Sequence, residues 1–243
     1  MKTVWFTADT HFGHKRIPLY ARRTFCLDDE EKARLDGSST LNRPNWSPSW
    51  ASVARMDDHL FEQINLHVAP DDILWHLGDF CWSKRSEAAA AARRYRERIN
   101  CRNVFLVMGN HDSEEVASVF DKHCIGYEIK VGKANIVLSH YAHCFWNRSH
   151  YGSWMLYGHA HGSAEDWLDA HMPGRLSMDV GVDNIARLTG SYRPISSEEI
   201  GSIFSSRKGC QVDGHKPKPQ ALHGQNTGYN PFRCQTHENN ASP

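Results

Sequence analysis

Short runs of apolar residues recur along the chain, and each run gives way to polar residues. The runs are only four to six residues long and are rich in β-branched and aromatic side chains, which favours buried β-strands. They occupy positions 3–8, 73–77, 104–108, 136–139 and 154–157. The pattern therefore predicts five buried strands.

The polar residues that follow these runs are of the types that bind metals and transfer protons. In chain order the segments are Asp-Thr-His at 9–11, Gly-Asp at 78–79, Gly-Asn-His-Asp at 109–112, Ser-His at 139–140 and Gly-His-Ala-His at 158–161. Residues just past strand ends collect along one edge of a sheet, where α/β proteins usually place their sites. Five separate segments are thus predicted to meet at one place.

Helical periodicity lies between the runs. Val53, Met56, Leu60 and Ile64 are spaced three or four residues apart, which predicts an amphipathic helix. A second helix is predicted after Ser86, whose side chain can cap its N-terminus ahead of an alanine run. Strands and helices that alternate along the chain indicate an α/β fold.

Two segments depart from this pattern. Residues 28–50 contain a Gly-Ser-Ser sequence and two prolines, which predicts an irregular insertion before the first long helix. Residues 205–243 contain only three strongly apolar side chains, too few for burial to offset the entropy lost on ordering. We therefore predict one domain over 1–204 and a flexible polar tail over 205–243.

The composition fits a folded protein with a substantial core, because 40% of the 243 residues are hydrophobic. Lysine plus arginine and aspartate plus glutamate number 28 each, which argues against binding nucleic acid or a membrane through bulk charge. No stretch approaches the roughly 20 apolar residues of a membrane span, and the start lacks the apolar run of a signal peptide. The seven cysteines never occur in CxxC spacing, so we expect a reduced, cytoplasmic protein without a thiolate zinc site.

The large number of histidines, 16, indicates metal binding or acid–base chemistry. The polar segments offer carboxylate, imidazole and amide groups without a thiol, a mixture that suits Mn²⁺, Fe or Zn²⁺. In a D-x-H sequence just past a strand, alternation turns Asp9 and His11 to the same side, as two ligands of one metal require. The two oxygens of Asp79 allow that carboxylate to bridge two cations.

The ordered set D-x-H, GD, GNHD, H and GHxH resembles the pattern of the calcineurin-like metallophosphoesterase superfamily, over residues 1–161. The sequences DTHFGH at 9–14, SHY at 139–141 and DVGVDN at 179–184 resemble its compact bacterial and phage branch. The resemblance implies a central β-sandwich flanked by helices, in four layers α/β/β/α, with two divalent metal ions at the sheet edge. Manganese is the favoured ion, with iron and zinc as alternatives.

The resemblance also implies a role for each motif residue. Asp9, His11 and His161 would hold the first metal, and Asn110, His140 and His159 the second, with Asp79 between them. His111 would assist the leaving group, and Asp112 would orient His111. Two cations on one bridging water lower its pKa enough to supply hydroxide, which would attack phosphorus in line with the departing alkoxide.

Three further residues are candidates for contacts with the substrate. His14 either reaches a substrate phosphate or stabilises its own turn with a hydrogen bond. His143 and Arg148 lie in a polar and aromatic loop after His140, where they either line the substrate entrance or are placed by packing and exposure alone.

Other residues near the motifs are assigned structural roles. Asp179 and Asp183 are predicted to accept backbone hydrogen bonds or to contact a metal-bound histidine. His76, which lies within a predicted strand, is predicted to be a core residue. Cys81 and Trp82 are predicted to be packing residues.

Together these features predict a dinuclear metal-dependent phosphoester hydrolase. Trp46, Trp50 and Trp146 offer aromatic surface for a base, which favours a phosphodiesterase acting on a cyclic nucleotide or a nucleic-acid-type diester. The motifs serve equally well in a phosphomonoesterase acting on a small phosphorylated metabolite or a phosphoprotein. A non-catalytic metal-binding scaffold is the alternative of another class, although all seven implied ligands are retained.

Overall fold

The computed structural model describes residues 2–38, 44–207 and 209, and within these residues the chain forms two β-sheets. The strands are β1 (Val4–Thr7), β2 (Ile73–His76), β3 (Asn103–Val107), β4 (His123–Cys124), β5 (Gly126–Val131), β6 (Ala134–Ser139), β7 (Trp154–Tyr157), β8 (Ser177–Asp179) and β9 (Ile195–Ser196). The helices are α1 (Ile17–Tyr20), α2 (Asp29–Asp36), α3 (Trp50–His67), α4 (Ala88–Glu97), α5 (Glu114–Ala117), α6 (Glu165–His171), α7 (Val182–Thr189) and α8 (Ser197–Ser205).

The strands that carry the motifs are parallel within each sheet. The first sheet has the order β4-β3-β2-β1-β9, in which only β9 is antiparallel to its neighbour. The second has the order β5-β6-β7-β8, in which β6, β7 and β8 are parallel. Parallel strands end at the same edge of a sheet. The two edges meet where Ala8 pairs with Gly181 in an isolated bridge.

Three apolar clusters separate four layers. Leu60 of α3 and Leu106 of β3 belong to the cluster between the helices and the first sheet. Phe6 of β1 and Leu138 of β6 belong to the cluster between the two sheets. Leu168 of α6 belongs to a third cluster, on the outer face of the second sheet. This confirms the α/β/β/α arrangement that the resemblance implied.

Burial on both faces explains why the strands appear in the sequence as continuous apolar runs. In β3, Val104 and Leu106 pack toward the helices, whereas Phe105 and Val107 pack toward the second sheet. A strand covered on both sides needs apolar residues at every position instead of at alternate ones. All five predicted strands are present, with ends shifted by no more than two residues.

The predicted long helix is confirmed as α3, whereas the predicted cap of the next helix is wrong. The Ser49 side chain accepts a hydrogen bond from the backbone N–H of Ser52 and so caps α3. Ser86 lies instead in a 3-10 turn, Arg85–Glu87, and α4 begins at Ala88 without a capping side chain.

The prediction of an irregular insertion over 28–50 is wrong in its first part, which contains α2. The Asp28 side chain accepts a hydrogen bond from the Glu31 N–H, and the Glu31 side chain accepts one from the Asp28 N–H. This reciprocal capping box favours a helix whose apolar content is low. Residues 39–43 of the insertion lie outside the described residues.

The predicted tail, 205–243, lies outside the described residues apart from 205–207 and 209, so its flexibility stays a prediction. Arg207 donates hydrogen bonds to the carbonyls of Arg175 and Ser177. None of the helices in the described ranges is long and apolar enough to cross a membrane.

Candidate metal centre

The motif residues meet at the shared edge of the two sheets, in the loops that follow β1, β2, β3, β6 and β7. The side chains there form two groups, and within each group the possible ligand atoms all lie within 4.8 Å of one another. The first group is Asp9, His11 and His161, and the second is Asp79, His140 and His159. Each group combines residues from both sheets, so the site exists only when the sheets are packed together.

Asp79 lies between the two groups. Its Oδ2 atom is 3.5 Å from Nε2 of His11 and 3.6 Å from Nε2 of His140. Asn110 adjoins the second group, because its Oδ1 atom lies 3.0 Å from His140 Nε2 and 2.9 Å from His159 Nδ1. One carboxylate oxygen thus faces both groups, as a bridging ligand requires.

Five of the seven candidate ligands have left-handed backbone conformations. The φ angles are 57° for Asp9, 50° for His11, 57° for Asp79, 71° for His159 and 49° for His161. Residues other than glycine rarely adopt this region, at a cost of about 1–3 kcal/mol each, and they concentrate at functional sites. The tight turns at the strand ends direct these side chains toward one another at the shared edge of the two sheets.

Two glycines allow the turns after β2 and β3 to approach each other. Gly78 has a φ of 101°, and a Cβ atom there would lie 2.7 Å from the Cα atom of Gly109 and against the ring of His140. A larger residue at either position would push the Asp79 turn away from Asn110. This explains the glycine that begins the GD and GNHD motifs.

The hydrogen bonds of the Asp112 carboxylate within the described residues do not include the His111 side chain, so the orienting role of Asp112 stays a prediction. The Asp112 carboxylate accepts hydrogen bonds from the backbone N–H groups of Asp79, Phe80 and Gly109, at 2.7, 3.0 and 2.9 Å. Both oxygens are therefore used to join the β2 turn to the β3 turn. His111 is held by its own backbone N–H, which donates to Oδ1 of Asp79 at 2.9 Å. Burial raises the pKa of the Asp112 carboxyl.

The electrostatics of the first group fit a bound cation. Both ring nitrogens of His11 are buried and have no hydrogen-bond partner among the described residues. Burial, reinforced by the nearby carboxylates Asp179 and Asp79, raises the pKa of Asp9, and burial lowers the pKa of His11. A divalent cation would favour the ionised carboxylate and the neutral imidazole together.

The geometry of the second group also fits a bound cation. The Nδ1 atom of His140 lies 2.8 Å from the carbonyl oxygen of Leu77, which can only accept a hydrogen bond. In a neutral ring the Nε2 atom then carries a lone pair, and it faces the Asn110 oxygen, which is also an acceptor. A cation between these two acceptors removes the conflict, so the residues fit a metal.

Behind the first group lies a buried chain of charged contacts. The Nδ1 atom of His161 is 2.6 Å from Oδ2 of Asp183, and Arg23 donates to both oxygens of Asp183 at 2.8 Å. Arg23 is fully buried and also donates to the carbonyls of Asp9 and Thr10, at 2.6 and 2.9 Å. Burial opposes ionisation of Asp183, but Arg23 and His161 lower its pKa overall.

The contact between Asp183 and His161 is one of the two roles predicted for Asp183, whereas Arg23 was missed. A single arginine outside any motif or periodic segment gives no signal of its own in the sequence. The one available signal is chemical: a buried aspartate beside a candidate metal-binding histidine needs a positively charged partner, so a buried arginine or lysine could have been expected near Asp183.

Asp179 and His76 have the structural contacts that were predicted for them. Asp179 accepts backbone hydrogen bonds from Gly162 and Gly181 at 2.8 and 2.7 Å. His76 is fully buried, and its Nε2 atom lies 2.9 Å from the Thr10 hydroxyl, which itself donates to a backbone carbonyl. Nε2 of His76 is therefore the donor, and Thr10 is held between two candidate ligands.

A cavity of about 1110 Å³ opens over the two groups. Its floor includes His11, Asp79 and His161, and its walls include His111 and Trp82. Trp82 was predicted to be a packing residue, but it is 45% exposed, and the centroid of its ring lies 5.1 Å from that of the His111 ring in an edge-on arrangement. A packing role alone was therefore wrong for Trp82, because the turn after Asp79 carries the indole to the cavity wall.

Of the three predicted substrate contacts, only His14 lines this cavity. Its Nδ1 atom accepts hydrogen bonds from the backbone N–H groups of Arg16 and Ile17, at 3.2 and 2.8 Å, so the turn-stabilising role is present. Burial lowers the pKa of His14 to about 4. His143 and Arg148 are exposed and are not among the described residues that line the cavity.

The three tryptophans that suggested an aromatic surface for a base do not provide one at this site. Trp146 is buried, and its indole N–H donates to the Ser153 carbonyl. Trp50 is exposed but lies outside the cavity lining, and Trp46 packs beside Arg34. The aromatic residues that do line the cavity are Trp82 and Tyr20.

Comparison with known proteins gives distant relatives over nearly the full chain. An uncharacterised protein of Methanocaldococcus jannaschii is 26% identical over 211 residues, which cover 86% of this chain and 94% of the relative. The Gene 66 protein of Mycobacterium phage L5 is 26% identical over 234 residues, covering 84% of this chain and 95% of the relative. A protein of unknown function from Aquifex aeolicus has the same fold, with 20% identity, a TM-score of 0.51, and coverage of 84% of this chain and 100% of that one.

The resemblance of the motifs to a known family is confirmed by a match between the family model and nearly the whole chain. The model of the calcineurin-like phosphoesterase family matches residues 2–236. That range contains the two sheets, all seven candidate ligands and His111. The chain belongs to the calcineurin-like phosphoesterase family.

Proposed function

We propose that this protein is a phosphoester hydrolase that uses two divalent metal ions and prefers phosphodiesters. The position of Asp79, whose Oδ2 atom faces both groups of candidate ligands, carries the proposed hydrolase activity. Two cavities that share His111, one for each ester group, support the preference for diesters. His111 lies beside Oδ2 of Asp79, with its Nε2 4.0 Å away, at the open side of the centre. A binding scaffold would not require an acid–base group at that point.

The seven candidate ligands would hold the two ions, and His111 would deliver a proton. Divalent cations at such a centre attract phosphoryl oxygens and lower the pKa of water to near neutrality. The His111 side chain is 39% exposed, so it can reach a leaving oxygen in the cavity. Protonation of that oxygen is worth about 10²–10⁴ in rate when the leaving group is poor. The ligand atoms are oxygen and nitrogen without sulfur, a set that suits Mn²⁺, the proposed ion, and also suits the alternatives iron and zinc.

The proposal is tested by removing metal from the purified protein and restoring Mn²⁺ with a chromogenic diester and its matching monoester. Asp79→Asn serves as the blank, because it weakens the one carboxylate that both groups share. We expect cleavage that depends on Mn²⁺, that the blank lacks, and that is faster with the diester. Faster cleavage of the monoester would identify a phosphomonoesterase instead. Metal binding without cleavage of either ester would favour a scaffold.

The role of His111 makes a separate prediction. His111→Ala should bind Mn²⁺ as tightly as the wild type, because His111 belongs to neither ligand group. Its turnover of an alkyl ester should fall by about 10²–10⁴, and its turnover of a nitrophenyl ester by much less, because only the poor leaving group needs a proton. Isothermal titration and steady-state kinetics measure both. Equal turnover of the alkyl ester by mutant and wild type would rule out the acid role.

A further inference from the structure

Two cavities meet at His111. Besides the large cavity over the metal centre, a second cavity of about 230 Å³ shares Trp82, Asn110 and His111 with it. Among the seven candidate ligands, only Asn110 lines the small cavity, whereas the large cavity exposes ligands of both groups. The small cavity therefore adjoins the metal centre at Asn110 and His111 and is otherwise lined by residues outside the ligand groups.

This placement matches the direction in which a leaving group must extend. His111 lies 4.0 Å from the carboxylate oxygen that both ligand groups share, and its ring is an edge of both cavities. If His111 protonates the leaving oxygen, the atoms beyond that oxygen continue past the imidazole. The small cavity is the space that they enter, and the large cavity remains for the other ester group.

The lining of the small cavity indicates what it can bind. Its inner surface is apolar and buried at Cys81, Ala88 and Val116, and its rim carries Ser83 and Arg85. The small cavity, at about 230 Å³, is smaller than pockets for drug-sized ligands, which span about 300–1,000 Å³. The group that enters it is therefore compact.

Arg85 supplies the charge of this rim. Its guanidinium is exposed and makes no hydrogen bond or ion pair within the described part of the chain. Glu115, which is fully exposed, is the acidic group that interacts with it through space. An exposed guanidinium without a hydrogen-bond partner in the described part of the chain, at the mouth of a small cavity, favours an anionic substituent, which it can bind with two parallel hydrogen bonds.

We propose that the small cavity is the leaving-group subsite of a phosphodiesterase, and that Arg85 selects a compact leaving alcohol with an anionic group. The inference rests on the proposed function and adds the class of substrate. In the reaction, water forms a new bond to phosphorus, and the bond from phosphorus to the leaving oxygen breaks. His111 gives its proton to that oxygen and regains one from solvent, which takes up the proton released by the attacking water. The products are a phosphomonoester and an alcohol that carries the anionic group.

Two methyl phosphodiesters test the subsite, one with 4-nitrophenol and one with 3-carboxy-4-nitrophenol as the leaving group. Both leaving groups are chromogenic, and they differ in one carboxylate. Arg85→Ala removes the proposed contact, and Arg93→Ala is the matched control, because Arg93 is an exposed arginine of α4 that lines neither cavity. All three proteins are assayed with Mn²⁺, and Mn²⁺ affinity is measured in parallel.

We expect the wild type to prefer the carboxylated ester, and Arg85→Ala to raise KM for that ester by about tenfold with little change for the other. Arg93→Ala and the Mn²⁺ affinities should match the wild type. Equal kcat/KM for the two esters in wild type and Arg85→Ala would overturn the subsite while the hydrolase activity stands. Cleavage of neither ester by wild type with Mn²⁺ bound would overturn the proposed function and the subsite with it.

Discussion

At the residue scale, the candidate metal centre depends on buried groups that do not line the cavity. Arg23 contacts Asp183, which contacts His161, and the same guanidinium donates hydrogen bonds to the backbone carbonyls of Asp9 and Thr10. Such outer contacts orient metal ligands and set their basicity. Removing one member leaves the others as unpaired buried charges, which is costly.

The importance of this contact is tested with Arg23→Lys. Lysine keeps the charge but cannot make two parallel bonds to Asp183 and two more to carbonyls, so Mn²⁺ affinity should fall about 10–100-fold. Arg175→Lys is the control, because Arg175 is equally buried but is paired with Glu165 and Asp169 beneath α6. It should lower the free energy of unfolding and leave Mn²⁺ affinity unchanged. An equal loss of affinity in both variants would contradict a specific role for Arg23.

The buried His76 predicts a pH dependence of stability. Burial lowers its pKa to about 3, against 6.5 in the unfolded chain, so the folded state binds fewer protons than the unfolded state between these values. The contribution of neutral His76 to the free energy of unfolding is fully present above pH 6.5 and is lost progressively as the pH falls toward 3. When the pH is lowered from 7 to 5, the free energy of unfolding of the wild type should decrease. The decrease should be about 2 kcal/mol smaller in His76→Gln, which has no imidazole to protonate.

Urea unfolding at the two pH values, with EDTA present to remove linkage to metal binding, measures this difference. The comparison uses the change with pH within each protein, so any loss of stability from the substitution itself cancels. Parallel pH profiles for wild type and variant would show that His76 does not titrate in this way.

At the element scale, side-chain caps decide where several helices begin. Ser49 caps α3, and Ser196 and Asp28 begin capping boxes at α8 and α2. The Glu31 carboxylate in the α2 box also accepts a hydrogen bond from the backbone N–H of Ser49. The starts of α2 and α3 are therefore joined, which helps to position Leu35 at the end of α2, a residue that lines the large cavity.

The caps are tested with a pair of serines. Ser49→Ala should lower the free energy of unfolding by about 1 kcal/mol, because a helix N–H loses its acceptor. Ser86→Ala should change it by less than about 0.5 kcal/mol, since Ser86 lies in an exposed turn and caps no helix. Chemical denaturation of both variants provides the measurement. Equal effects would mean that the Ser49 hydrogen bond contributes nothing measurable.

At the scale of the whole molecule, the metal centre joins the two sheets. Each ligand group combines residues that follow strands of the first sheet with residues that follow strands of the second. Cations that bind only this assembled form stabilise the folded state by mass action. Metal binding at this site should therefore stabilise the fold.

Addition of Mn²⁺ at 100 times its Kd should raise the free energy of unfolding by about 2.7 kcal/mol, and EDTA should reverse the effect. Asp79→Asn should respond much less, because its side chain no longer offers a charged oxygen to both groups. Thermal unfolding with and without Mn²⁺ measures the shift in Tm. An unchanged Tm for wild type at saturating Mn²⁺ would show that no cation binds preferentially to the folded protein.

The sequence by itself determined the strands, the family and the residues gathered at the sheet edge. Apolar runs such as 104–108 and the polar motifs that follow them are local patterns, so their types and order can be read along the chain. Helix α2 was missed because its stability depends on a capping box and on contacts with α3, with little apolar periodicity of its own.

Only the tertiary structure decided which groups support the site and what surrounds it. The Asp112 carboxylate bonds to the Asp79 turn, 33 residues away, and Arg23 pairs with Asp183, 160 residues away. Trp82 forms a cavity wall, whereas Trp146 is buried. No local pattern encodes these outcomes, because they depend on which distant surfaces pack together and on which buried charges then need partners.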